Sequence, residues 1–129
     1  MMRVLIFGTF DHLHPGHHFV LREALKRGET HAVVARDSNV LHIKGRSPKQ
    51  SEEERLRALQ ETFPEVKARL GDTEDFLSPV RAVAPDLILL GYDQKLPPGV
   101  SESELPCPIE RLPSFEPEKW KSTLQKQSP

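Results

Sequence analysis

The chain is 129 residues long, 36% hydrophobic and 29% charged, with a formal net charge of −1. These values suit one globular domain with a modest core, and they exclude a disordered chain and, for lack of net basicity, a binder of duplex nucleic acid. No apolar run approaches membrane length and the N-terminus lacks a signal-peptide layout, so a cytoplasmic protein with no membrane partner is expected.

Val4, Leu5, Ile6 and Phe7 form an apolar run of strand length, which Gly8 breaks. A polar, histidine-rich turn follows from Thr9 to His17. From His17 the period changes: Val20 with Ala24, and Leu21 with Leu25, recur at helical spacing, and Gly28 can end that helix. The chain thus reads strand, tight loop, helix, and in an open α/β sheet ligands sit beyond the carboxyl end of such a strand. A helix starting near Gly16 or His17 directs free backbone N–H groups and about half a positive charge at the loop, which favours an anion. Pro15 presets its own φ where a helix start needs no donor, and Gly16, lacking a side chain, lets a phosphate approach the backbone. His14 and His17 flank that spot and can donate hydrogen bonds to phosphate oxygens. His12 and His18 are read as surface or packing residues. The loop is neither the lysine-bearing P-loop nor the glycine-rich dinucleotide fingerprint.

Thr30 to Ala35 reads as a second buried strand, and the polar residues 36–50 after it suggest by their length a functional loop. Lys44 and Arg46 lie there, within a first half (residues 1–50) that holds eight Lys and Arg against four Asp and Glu, which suits a small anionic substrate. Ser51 and Glu54 form a capping box. Leu56, Leu59 and Phe63 then give a core face, and Pro64 stops the helix. Arg55, in the first turn, serves either as a phosphate contact or as a salt-bridge anchor.

Val66 to Leu70 reads as a third strand and Asp75 to Val83 as a short helix with Phe76, Val80 and Val83 inward. Asp86 to Leu90 reads as a parallel strand ending in Gly91, Tyr92, Asp93 and Gln94, where Asp93 and Gln94 can read a ribose or a base. Six of the twelve prolines fall between Pro97 and Pro117. Residues 95–129 are therefore expected to be partly irregular, with residues 108–112 as a last edge strand. Cys107 excludes an internal disulfide and reads as a small buried or strand-edge residue. Ser122, Thr123, Leu124 and Gln125 form an S-x-x-Q capping box whose hydroxyls offer another anion site. The expected fold is α/β: a single Rossmann-like, doubly wound domain over residues 1–129 with about five parallel strands.

The stretch GTFDHLHPGH, Gly8 to His17, resembles the signature of the nucleotidyltransferase superfamily that includes cytidylyltransferases, pantetheine-phosphate adenylyltransferases and archaeal-type FAD synthases. The order ARDSN, basic segment, SEEERL, PDLILLGYDQ, late arginine and Ser-Thr pair is most similar to archaeal-type FAD synthases, which transfer AMP from ATP to FMN and release pyrophosphate. The resemblance implies that His14 and His17 contact the triphosphate and stabilise the transition state. It implies that Gly8, Thr9, Phe10, Pro15 and Gly16 line the nucleotide site, and that Asp11 holds the loop or a metal-bound water. Lys44 would neutralise the triphosphate or the acceptor phosphate, with Arg46 and Arg55 as further phosphate candidates. Gly91 and Asp93 would lie at the nucleotide, and Arg111, Ser122 and Thr123 would hold the triphosphate tail. A Mg²⁺ ion would be held mainly by the nucleotide, with no confident protein ligand, and a homodimer is implied by resemblance alone. Two departures stand out: Phe63 where cytidylyltransferases often carry arginine, and Leu124-Gln125 where Lys-Ile usually follows the Ser-Thr pair.

The leading expectation is AMP transfer from ATP to FMN. Two alternatives stay open: a cytidylyltransferase using CTP and glycerol 3-phosphate or a similar small phosphate, and a nucleotide-binding module that has lost turnover.

Overall fold

A computed structural model of the chain describes residues 2–92, 94–96 and 100–113. The strands are β1 (Arg3–Gly8), β2 (Glu29–Val34), β3 (Lys67–Leu70), β4 (Leu87–Leu90) and β5 (Ile109–Arg111). The helices are α1 (Pro15–Arg27), α2 (Asp37–Lys44), α3 (Glu52–Thr62) and α4 (Leu77–Val83). All strand pairs are parallel, in the order β3-β2-β1-β4-β5. The Rossmann-like α/β expectation and the five strands are met. The chain winds outward from β1 through β2 to β3, then returns to the other side of β1, so the order reverses between β1 and β4. In such sheets the crevice at the reversal, beyond the carboxyl ends of the strands, is the ligand position.

Strand alternation explains why both faces of the sheet are covered. Val4 and Ile6 of β1 point to one side, with Ala32, Val34, Leu21, Ala24 and Leu59. Leu5 points to the other, with Val33, Val80, Val83 and Ile88. Periods of 2 in the strands and 3.6 in the helices therefore meet in two separate apolar layers. Leu5, Leu21, Leu59 and Ile88 are fully buried, each contributing on the order of 2 kcal/mol from burial.

The helix starts follow local chemistry. Ser51 accepts from the Glu54 N–H while the Glu54 side chain accepts from the Ser51 N–H, the expected capping box. Gly28 closes α1, and a Cβ there would meet the Met2 carbonyl oxygen at 2.3 Å, so only glycine fits. Pro79 sits in the first turn of α4, where a missing N–H costs nothing.

Residues 36–50 depart from the expected loop: Asp37–Lys44 form α2. Only Val40 of that helix is buried, while Leu41 and Ile43 are exposed, so no apolar stripe marks it. Its start is held from outside. The Asp37 N–H donates to Glu52 Oε1 (2.8 Å) and the Glu52 N–H to Asp37 Oδ2 (3.2 Å), so α2 and α3 cap each other. Beyond Gln94, the described residues hold one 3-10 turn (Glu102–Glu104) and the edge strand β5, in keeping with the sparse regular structure expected.

Candidate active site

The carboxyl end of β1 runs into the histidine loop. The ring of Phe10 is buried in the core (3% exposed). It lies so close over Gly8 that a Cβ there would meet it at 2.9 Å, which is why glycine ends the strand. Phe10 and His12 adopt positive φ of 53° and 52°, a strain on the order of 1 kcal/mol each that surrounding contacts must offset. Those contacts come from the segment leading into α3. The Lys49 and Gln50 N–H groups donate to the two oxygens of Asp11 (2.9 and 3.0 Å), and the His12 N–H donates to Gln50 Oε1 (2.9 Å). Burial opposes ionisation of Asp11, but these two backbone donors hold its carboxyl below its ordinary value.

α1 begins one residue before the expected window, and His14 is its N-cap. His14 Nδ1 accepts from the Gly16 N–H at 3.1 Å, and His17 Nδ1 accepts from the His14 N–H at 3.3 Å, a capping box built from two imidazoles. The rings stack, with centroids 3.7 Å apart and planes 22° apart. A neutral imidazole whose Nδ1 accepts carries its proton on Nε2. Both rings line the cleft described below, so two Nε2–H donors are available to a ligand in it. Burial, then the neighbouring His14, His18 and Lys44, push the His17 pKa down to about 4, leaving it neutral at physiological pH. The expectation for Gly16 changes accordingly. The space over its Cα belongs to the His14 ring, which a Cβ would meet at 2.9 Å, so Gly16 makes room for the cap.

Lys44, the last residue of α2, donates from Nζ to Thr9 Oγ1 at 3.1 Å. Thr9, His14, His17 and Lys44 line both a cleft of about 990 Å³ and an adjoining basic recess of about 380 Å³ that also holds Asp11, Arg46 and Lys49. Phe7, Phe76, Ile43, Asn39, Glu74, Gly91, Tyr92, Lys95 and Leu112 are among the residues that line the cleft. Phe7 and Phe76 pack with centroids 4.7 Å apart. Of these, Phe76, Ile43, Asn39 and Tyr92 carried no sequence signal of ligand contact. Ile43 and Tyr92, each 54% exposed, are the exposed apolar groups that could have raised it.

Several expected residues also make contacts within the protein. Arg55 is fully buried and each nitrogen of its guanidinium has a partner: Nη1 donates to the Thr9 carbonyl (2.7 Å), Nη2 to Asp37 Oδ1 (2.6 Å) and Nε to the Gln50 carbonyl (3.2 Å). It is the salt-bridge anchor of the two expected roles and has no surface to offer a phosphate. Gln94 is likewise paired, Oε1 accepting from the Gly91 N–H (3.0 Å) and Nε2 donating to the Phe7 carbonyl (2.9 Å). Arg111 directs Nη1 at the carbonyls of Gly91, Tyr92 and Gln94, bracing the turn after β4. His18 packs edge-on against Phe63. Asp93, Ser122 and Thr123 lie outside the described residues.

Residues 5–122 match the family model described as cytidylyltransferase-like. The chain is 43% identical over 111 residues to an FAD synthase of Methanolacinia petrolearia, covering 85% of this chain and 71% of that one. It is 48% identical over 101 residues to an FAD synthase of Methanosphaerula palustris (78% and 65% covered) and 41% identical over 117 residues to one of Natronomonas pharaonis (86% and 82%). Among solved structures it is similar to the lipopolysaccharide core biosynthesis protein from Thermoplasma volcanium GSS1, with a TM-score of 0.77 and 36% identity over 90% of this chain and 99% of that one.

Proposed function

We propose that this chain, which belongs to the cytidylyltransferase-like family, transfers the adenylyl group of ATP to the phosphate of FMN, giving FAD and pyrophosphate. The observation that carries the reading is the stacked pair His14 and His17, with Nδ1 of each engaged in the helix cap and Nε2 of each left for the cleft. The similarity to FAD synthases supports FMN and ATP as the pair. The cleft of about 990 Å³, with aromatic and aliphatic walls, suits two planar ring systems better than one ring and a three-carbon phosphate.

The FMN phosphate is already an anion at neutral pH, so no general base is required. One of its oxygens forms a bond to the α-phosphorus of ATP, the bond from that phosphorus to the β-phosphate oxygen breaks, and pyrophosphate leaves with the electron pair. The barrier lies in bringing two anions together and in the charge that develops on the leaving group. Lys44 meets the first difficulty, and the Nε2–H donors at the start of α1 meet both, fixed in place before the reaction begins. Thr9 Oγ1 holds the ammonium of Lys44 beside them.

A divalent cation would enter this site with the triphosphate. Among the described residues there is no group of three or more His, Cys, Asp or Glu placed to hold one, and Asp11 is committed to two backbone donors. Such an ion would neutralise phosphate oxygens.

The test is pyrophosphate release by the purified protein with Mg²⁺, pairing ATP or CTP with FMN or glycerol 3-phosphate. Release with ATP and FMN alone is expected. Release with CTP and glycerol 3-phosphate would replace this reading with a cytidylyltransferase, and nucleotide binding without turnover would leave a binding module.

A further inference from the structure

Arg55 is the one charged side chain among the described residues with no exposed surface, and it does not itself line the cleft. A buried arginine is costly to desolvate even when each of its nitrogens has an acceptor, and replacing such a group by apolar side chains often stabilises a protein. Stability alone is therefore a weak reason for it to be there.

Its contacts form a closed circuit through the site. From the Thr9 carbonyl (2.7 Å) the connection passes through Arg55 to the Asp37 carboxylate (2.6 Å) at the first residue of α2. It then runs along α2, about 10 Å at 1.5 Å per residue, to Lys44, whose ammonium returns to Thr9 Oγ1 at 3.1 Å. The circuit begins and ends on one residue of the histidine loop. α2 buries Val40 alone, and its first turns are also held by Glu52 and by the Asn39 amide on the Asp72 carbonyl (3.0 Å). The loop that carries the imidazoles and the helix that carries Lys44 are thus joined directly through one planar fork.

We propose that Arg55 is a positioning residue for the transfer step: by holding the Thr9 carbonyl and the Asp37 carboxylate together, it fixes Lys44 at its distance from His14 and His17. It touches neither substrate and acts through Lys44. The inference rests on the proposed adenylyl transfer for its kinetic readout and on the structure alone for its second readout. Lysine in place of arginine keeps the charge but lacks the fork, and so can serve one of the two partners well and the other poorly.

Two variants, Arg55→Lys and Asp37→Asn, test it, each alone and in a Lys44→Ala background, assayed well below their unfolding temperatures. In the wild-type background kcat is expected to fall between about tenfold and a hundredfold, as for a displacement on the ångström scale, with KM for both substrates changed far less. In the Lys44→Ala background neither variant should lower kcat further, because the group through which Arg55 acts is gone. An equal fall in both backgrounds overturns the proposal and leaves Arg55 a purely structural residue. If Arg55→Lys does not fold, Asp37→Asn carries the comparison. The second readout is acetylation of Lys44 by an amine-reactive ester, followed by mass spectrometry against exposed Lys26 as reference. Labelling of Lys44 should rise severalfold in Asp37→Asn, and an unchanged rate overturns the proposal. Should the wild type release no pyrophosphate from ATP and FMN, the proposed reaction fails, while the labelling still decides the role of Arg55.

Discussion

His14 and His17 stack with centroids 3.7 Å apart, and both spend Nδ1 as an acceptor in the first turn of the same helix. Protonating either ring would place a hydrogen on a nitrogen that already accepts one. It would also set a cation at the positive end of a helix dipole, against a second imidazole. The pair therefore keeps Nε2 of each ring free of the cap. Its rigidity comes from serving as the helix cap, so structure and chemistry share the same four nitrogens.

That division of labour predicts a split between two substitutions. Asparagine at position 17 keeps an acceptor near the place of Nδ1 and loses the distal donor. Glutamine keeps a donor near the place of Nε2 and loses the cap acceptor. His17→Asn is expected to lower kcat about a hundredfold or more at nearly unchanged KM for ATP, as for loss of one preorganised donor. His17→Gln should retain more turnover but unfold at a lower temperature. Steady-state pyrophosphate release and thermal melts check the pair. The reverse ranking of kcat would refute the assignment of Nε2 as the donor.

The depressed pKa of His17 sets a pH dependence of stability. Its folded value, about 4, lies below the ordinary 6.5. As pH falls through 6.5 the unfolded chain takes up a proton at this residue and the folded chain does not. The contribution is fully present above 6.5 and is lost as pH falls from 6.5 towards 4. Across that window the melting temperature of the wild type should drop more steeply than that of His17→Asn. Parallel slopes would show that His17 does not stay neutral in the folded protein.

Gly16→Ala should damage the cap. The new Cβ would lie 2.9 Å from Cε1 of His14, so the ring must swing away from the Gly16 N–H. A stability loss of about 1 kcal/mol, the usual worth of an N-cap, together with a lower kcat, is expected from denaturant titration and the pyrophosphate assay. Full activity in Gly16→Ala would mean that the ring position seen here is not the working one.

The sequence carried most of the frame because each strand and three of the helices advertise themselves locally. β1 and β4 are short apolar runs ended by glycine, α1 has a four-residue repeat, and α3 has its capping box. α2 had no such mark: DSNVLHIK buries one residue, and what fixes its start is Glu52, fifteen positions away. The same holds in the site. His14 was legible as a ligand-facing residue but not as an N-cap, a task usually given to Ser, Thr, Asp or Asn. Arg55 and Gln94 could each face a ligand or a carbonyl. Burial and partner choice, which are properties of the folded chain, decide for the carbonyl in Arg55, while Gln94 bonds a carbonyl and still lines the cleft.

Gln94 supplies the last expectation. Its amide joins the end of β1 to the turn after β4, donating to the Phe7 carbonyl at 2.9 Å and accepting from the Gly91 N–H at 3.0 Å. These two strands flank the point where the sheet order reverses, so the amide sets the width of the cleft there. Gln94→Glu preserves size and the acceptor to Gly91, but removes the donor and turns a carboxylate towards the Phe7 carbonyl. Loss of one such bond costs about 1 kcal/mol, with an added penalty from the opposed oxygens, enough to weaken the substrate held by the β4 turn roughly tenfold. If the nucleotide lies against Gly91, KM for ATP rises by that factor while KM for FMN stays near its wild-type value. A rise confined to FMN would put the flavin on the β4 side of the cleft and the nucleotide across it, against Phe7 and Phe76.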